Sequence, residues 1–205
     1  MGGTHLVVDY GMGNLHSVVS ALRYLDIDPE ISGDPARVAA ADTLILPGVG
    51  SFYKAMVKLE ESGLADALRE AVLGRRRKIL GICLGQQLMA EYGEEDGGRR
   101  GLGFFSGSVT RLSGEAGLKV PHVGFNTVRF APQSRLFAGL GEAGDFYFVH
   151  SYWLPAGERP GLAALCNYGA DFVAAYEHEN VFCTQFHPEK SQTNGLRLLS
   201  NFLAQ

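Results

Sequence analysis

The stretch Ile79-Leu80-Gly81-Ile82-Cys83-Leu84-Gly85 restricts the fold more than any other part of the chain. An apolar run that reads as a buried strand passes without a spacer into a helical pattern, and a glycine stands two residues before and two after a cysteine. This is the pattern of a nucleophile elbow with cysteine in place of serine, a strand-to-helix turn so tight that neighbours of the central residue must lack bulk. Such a turn needs a strand whose chain returns as a helix, so this region is committed to an α/β architecture. The sulfur would stand above the strand end, beside the N–H groups of a helix start, which favour an anion. The backbone N–H of Leu84 would be free to stabilise an oxyanion. A buried structural cysteine between two helix-packing glycines is the alternative reading of the same residues.

The flanking sequence repeats the strand–helix pattern. Leu6-Val7-Val8-Asp9 reads as a strand, and a helix is expected from about Asn14 to Leu25, with Leu15, Val18, Val19 and Leu22 on one face. A short strand near Glu30-Ile31 precedes Asp34-Pro35, a helix cap followed by proline at the first helical position. Thr43 to Leu46 reads as a third strand, broken by Pro47-Gly48-Val49-Gly50, with helical segments from about Ser51 to Leu73. The fourth strand, Ile79 to Ile82, leads into a helix expected from about Leu84 to Tyr92. Beyond it, Gly93 to Gly107 reads as a loop rich in glycine and charge. Strands are then expected near Val109-Thr110 and over Val123–Phe130, Phe146–His150, Leu162–Tyr168, Phe172–Glu177 and Val181–Phe186, several joined by hairpin-length turns. A last amphipathic helix spans about Gly195 to Leu203. The expected fold is one α/β domain over residues 1–205. Its sheet is open and flavodoxin-like, mostly parallel in the first half and antiparallel in the second.

With 18 Lys and Arg against 22 Asp and Glu, the 205 residues carry a formal charge of −4, which gives no general pull toward nucleic acid or an anionic membrane. The one basic run, Arg75-Arg76-Arg77-Lys78, reads as a solvated helix end before a buried strand. The start Met1-Gly2-Gly3-Thr4-His5 lacks a charged and then apolar leader, and no apolar run approaches a membrane span. Three cysteines in such a chain fit a reducing cytoplasm better than a disulfide framework. Cys166 and Cys183 lie in apolar strands and read as inert core thiols. No His, Cys, Asp or Glu set has metal-ligand spacing, and Gly11-Met12-Gly13-Asn14 lacks the third glycine of a dinucleotide fingerprint, so no cofactor is expected.

A second chemical signal is Gln185-Phe186-His187-Pro188-Glu189, at the end of an apolar strand. If proline holds this segment extended, His187 and Glu189 face the same way, and the carboxylate can orient the imidazole and stabilise its charged form. Alone, His-Pro-Glu could equally be a strand-end turn with a solvated histidine. Beside the elbow it supplies nucleophile, base and orienter in one chain. The loop Pro47-Gly48-Val49-Gly50-Ser51 lies where open α/β sheets bind ligands. Its glycines would either let a peptide N–H turn toward the site as a second oxyanion donor or merely cap the strand.

Gly81-Ile82-Cys83-Leu84-Gly85-Gln86-Gln87 together with His187-Pro188-Glu189 resembles the class I, or triad, glutamine amidotransferases. Asp9-Tyr10-Gly11-Met12-Gly13-Asn14 and Lys119-Val120-Pro121-His122-Val123-Gly124-Phe125-Asn126 are similar to the branch that serves as glutaminase subunit of imidazole glycerol phosphate synthase in histidine biosynthesis. The resemblance implies a triad of Cys83, His187 and Glu189. It implies an oxyanion site from Val49, Gly50 and Leu84, and glutamine held by Gln87 and by His150, Ser151 and Tyr152. It also implies a heterodimer with a (β/α)8-barrel synthase subunit, met by Asn14, Pro121, His122, Phe125 and Asn126. Phe125 stands where tryptophan is common in that branch, and Gln86 where methionine is common. A non-catalytic flavodoxin-like protein with a redox cysteine would have no need of His187 and Glu189 together.

Overall fold

Alternating burial along the first strand shows how the layers form. In β1 (His5–Val8), Leu6 and Val8 enter one core cluster and Val7 the other, because successive side chains of a strand leave opposite faces. The structure, a computed structural model, describes residues 3–113 and 117–205, so Met1 and Gly2 lie outside the described residues. Helix α1 (Leu15–Tyr24) covers the Val7 face with Val18, Val19 and Leu22. After β2 (Glu30–Ser32), the Asp34 carboxylate accepts the Ala36 N–H at 2.9 Å and starts α2 (Pro35–Ala40). Strand β3 (Thr43–Gly48) continues through Pro47 and Gly48, two residues past the expected break, paired with β4 (Lys78–Cys83). Between them, α3 (Phe52–Glu61) and α4 (Leu64–Arg69) are separated at Gly63, whose φ of 75° lies in the left-handed region.

The elbow leads into α5 (Leu84–Met89), a helix that stops three residues before the expected Tyr92. The chain turns into β5 (Ala90–Gly93), and the stretch expected to be a loop contains β6 (Arg99–Arg100) and the start of β7 (Phe105–Arg111). Then come β8 (His122–Arg129), β9 (Ala143–His150), β10 (Tyr152–Trp153), β11 (Leu162–Tyr168), β12 (Ala170–His178), β13 (Val181–Thr184) and α6 (Gln192–Leu203). Among the described residues the strands form a nine-stranded sheet in the order β2-β1-β3-β4-β13-β12-β11-β8-β9 and a smaller sheet β10-β7-β5-β6. Pairing is parallel from β2 to β13 and antiparallel from there to β9, as the two halves of the sequence imply, except that β13 joins the parallel set. Among the described residues no helix is long and apolar enough to cross a membrane.

This order brings three strand ends together. Gly48 at the end of β3 lies opposite Cys83 at the end of β4, and Thr184 at the end of β13 lies opposite Ile82. The carboxyl ends of neighbouring parallel strands are where an open α/β sheet receives ligands.

Candidate active site

Cys83 has φ 55° and ψ −109°, a conformation that a non-glycine residue holds only under constraint from its surroundings. The constraint is packing on both sides of the turn. A Cβ on Gly85 would strike the Leu46 carbonyl, and one on Gly81 would strike Met89 and the backbone of α5. Both glycines are therefore required by close approach, as the elbow reading expects. Cys83 is 6% exposed, and Leu84, first residue of α5, has no carbonyl behind it in the helix to take its N–H.

His187 and Glu189 meet, but not through an extended segment. His187 is extended, with ψ 97°, as the residue before a proline tends to be; Pro188–Lys190 then forms a 3₁₀ turn. The turn brings Glu189 back so that its Oε1 lies 2.8 Å from His187 Nδ1, with both side chains almost fully buried. Ser191 fixes the corner, donating to the His187 carbonyl at 2.7 Å and accepting the Tyr147 N–H at 2.9 Å. With Nδ1 committed to the carboxylate, Nε2 is the nitrogen left for chemistry, and it has no hydrogen-bond partner among the described residues. Burial opposes a charge on His187, but the attraction of the nearby Cys83 and of the Glu189 carboxylate outweighs it and raises the imidazole to about 10.

A cavity of about 460 Å³ opens over these groups and is walled by Cys83 and His187, by Val49 and Gly50, by Leu84 and Gln87, and by His150, Ser151 and Tyr152. All the residues expected at the triad, oxyanion and glutamine positions except Glu189, which sits behind His187, line this one space. Gln87 donates to the Tyr152 carbonyl at 2.9 Å and to Gln185 Oε1 at 3.0 Å, and Gln185 in turn reaches the Cys83 sulfur at 3.8 Å. The Val49 N–H points elsewhere: it donates to the Met12 carbonyl at 3.3 Å. Among the wall residues, Glu95 and Val149 were not legible in the sequence, and Pro121 was expected only at a partner face. Glu95 accepts the Phe52 N–H at 2.6 Å, and burial raises its carboxyl pKa.

The residues expected at a partner face divide. Asn14, Pro121 and Phe125 are exposed, and Phe125, 51% exposed, stands edge-on to Tyr147 next to the exposed Val123 and Val149. His122 is a correction: it is buried, stacked between Phe148 and Tyr168, and its Nδ1 lies 3.0 Å from His150 Nε2. Asn126 is half-buried and donates to the Asn167 carbonyl at 3.2 Å. Gln86 is wholly buried and donates to the Val173 carbonyl at 3.0 Å. Cys166 and Cys183 are buried in strands, where burial pushes the Cys166 thiol up to about 12 and the Cys183 thiol up as well.

The two buried histidines make stability depend on acidity. Burial lowers His122 from 6.5 to about 4; burial and then the neighbouring His122 lower His150 from 6.5 to about 3. Between these values and 6.5 the unfolded chain binds protons that the folded chain refuses, so this contribution to stability is present above 6.5 and is lost as pH falls below it. The expected result is a thermal midpoint that drops from about pH 7 to about pH 5, and drops less in His122→Phe. Equal pH slopes for the two proteins in calorimetry would contradict it.

A family model described as glutamine amidotransferase class-I matches residues 6–205, and the chain belongs to that family. Solved structures agree at the level of the fold: PurLQS from Thermotoga maritima superposes with a TM-score of 0.73 at 17% identity, covering 100% of this chain and 99% of the matched one. Within the family the chain groups with the HisH subunits of imidazole glycerol phosphate synthase. It is 44% identical over 196 residues to subunit HisH 1 of Campylobacter jejuni subsp. jejuni serotype O:23/36 (strain 81-176), covering 96% of this chain and 97% of that protein. It is 46% identical over 196 residues to subunit HisH of Moorella thermoacetica (strain ATCC 39073 / JCM 9320), covering 96% of this chain and 92% of that protein.

Proposed function

We propose that residues 1–205 form one glutaminase domain that hydrolyses glutamine and delivers the ammonia to a (β/α)8-barrel synthase subunit. The two would act as a cytoplasmic heterodimer making imidazole glycerol phosphate for histidine. The observation that carries this reading is the convergence of Cys83 with a buried His187–Glu189 pair on one cavity of amino-acid size.

The raised basicity of His187 suits it to take the Cys83 proton and hold it as an imidazolium. The Cys83 thiolate attacks the side-chain amide carbon of glutamine, and the carbonyl oxygen becomes an oxyanion facing the Leu84 N–H. As that tetrahedral adduct collapses, His187 gives its Nε2 proton to the departing nitrogen, which leaves as ammonia. A glutamyl thioester is left on the sulfur. Neutral His187 then takes a proton from water, hydroxide adds to the thioester, and collapse releases glutamate and restores the ion pair. Glu189 keeps the Nδ1 proton in place through both steps. The Ser151–Tyr152 backbone and Gln87 would hold the amino-acid end, with Glu95 as the carboxylate complementary to its ammonium group. The exposed Phe125, Val123 and Val149 form an apolar patch beside the cavity that suits a subunit contact. Mixing the chain and glutamine with the cognate barrel partner is expected to give glutamate release. Absence of glutamate even with the synthase ligand present would refute the reading.

A further inference from the structure

Tyr10 is 7% exposed, and its phenol oxygen has no hydrogen-bond partner among the described residues. A buried hydroxyl without a partner is costly, so its retention needs a reason. Its position supplies one. The oxygen lies against Gly48, so closely that a Cβ there would collide with it, and Gly48 is the last residue of β3 before the Val49 peptide. Tyr10 belongs to the core cluster on one face of the sheet, and Met12 packs against that same cluster.

The Gly48–Val49 peptide is planar and trans, so its C=O and N–H point in opposite directions. Here the N–H donates to the Met12 carbonyl, and the Gly48 carbonyl therefore faces away from Met12. Turning the peptide by half a revolution would aim the Val49 N–H into the cavity. It would also swing the Gly48 carbonyl toward the Met12 carbonyl, leaving two acceptors side by side with no proton between them. A donor is needed at that spot.

Resting on the reading of Val49 as an oxyanion donor, we infer that Tyr10 is a positioning residue for the oxyanion hole, its phenol O–H donating to the Gly48 carbonyl when the Gly48–Val49 peptide turns. Burial and then the nearby Cys83 charge push the phenol pKa up, so the group keeps the proton it has to donate. Tyr10 touches neither substrate nor sulfur in this scheme. It acts by lowering the free energy of the turned peptide.

The test compares wild type, Tyr10→Phe and Gly50→Val, each alone and with the cognate synthase partner loaded with imidazole glycerol phosphate. Tyr10→Phe is expected to lower the ratio of stimulated to unassisted kcat roughly five- to tenfold, the worth of one neutral hydrogen bond. The KM for glutamine and the thermal midpoint should hold, because the hydroxyl has no partner to lose before the turn. An unchanged ratio overturns the proposal, and so does a lowered midpoint, which would mean the hydroxyl is already engaged in the resting protein. If Gly50→Val loses stimulation while Tyr10→Phe keeps it, only the role of Tyr10 falls. If both keep it, Val49 as a turning donor falls too.

Discussion

Cys83→Ala is expected to abolish glutamine hydrolysis and to leave ammonium-driven turnover by the synthase complex intact. The geometry separates these outcomes. The sulfur points into the cavity and takes only weak contacts, 3.8 Å to the Val149 carbonyl and 3.8 Å from Gln185, so its removal costs little structure. On the proposed triad its loss removes the nucleophile, and members of such a unit fail together: loss of Cys83 or of His187 should each cost on the order of 10⁶ in kcat. His187→Asn also strands Glu189 with a partner that cannot shuttle a proton. Glu189→Gln should cost less, roughly 10⁴, because the amide oxygen can still accept from Nδ1 but no longer stabilises an imidazolium. Glutamate release read against ammonium-dependent turnover tests all three. Loss of the ammonium reaction in Cys83→Ala would make the cysteine structural, and a Glu189 variant as dead as Cys83→Ala would mean that its role is misassigned.

What was legible in the sequence was written in local chemistry. The elbow is a matter of five consecutive residues, and the clashes that a Cβ at Gly81 or Gly85 would cause explain why its spelling is so narrow. The β1-to-β4 order follows from apolar runs alternating with amphipathic ones. His187 and Glu189 were legible as a pair, while the way they meet was not. The proline suggested an extended chain, yet the bonds of Ser191 to the His187 carbonyl and the Tyr147 N–H fold the segment into a turn. Those partners are distant or lie beyond the motif.

The small sheet was missed for the same reason. Ala90, Glu91 and Tyr92 continue a helical pattern, and nothing nearby forbids it. The carbonyls of Leu88, Met89 and Ala90, which the next turn of helix would have used, are taken by the N–H groups of Leu102, Phe104 and Gly103 at 2.7 to 3.2 Å. That capture ends α5 at Met89 and opens β5. The burial of His122 is likewise decided by Phe148 and Tyr168 from other strands, and Glu95 reaches the cavity only because it caps α3 through the Phe52 N–H. Side chains whose role depends on where a second strand or loop lies carry no signature in their own neighbourhood.

Gly50→Val is expected to collapse the ratio between partner-stimulated and unassisted glutaminase rates while changing the KM for glutamine little. If the Val49 N–H is the second oxyanion donor, its turn toward Met12 leaves the cavity one donor short, a deficit worth about 10²–10³ in rate. Such a resting state would hold back wasteful ammonia release until the barrel partner and its ligand favour the turned peptide. The turn requires the residue after Val49 to hold both conformations. Gly50 holds the present one at φ 106°, outside the region any β-branched residue occupies, and a Cβ there would also approach the Met12 methyl group at 3.1 Å. Valine therefore removes access to one side of the switch, so the two rates converge whichever conformation the variant adopts. If glutamine is held by Gln87, Ser151 and Tyr152, as proposed, its binding should be spared. Steady-state kinetics of the chain alone and in the ligand-loaded complex measure the ratio directly. A Gly50→Val protein stimulated as strongly as wild type, or a wild-type chain as fast alone as in the complex, would show that the Val49 peptide is not the switch.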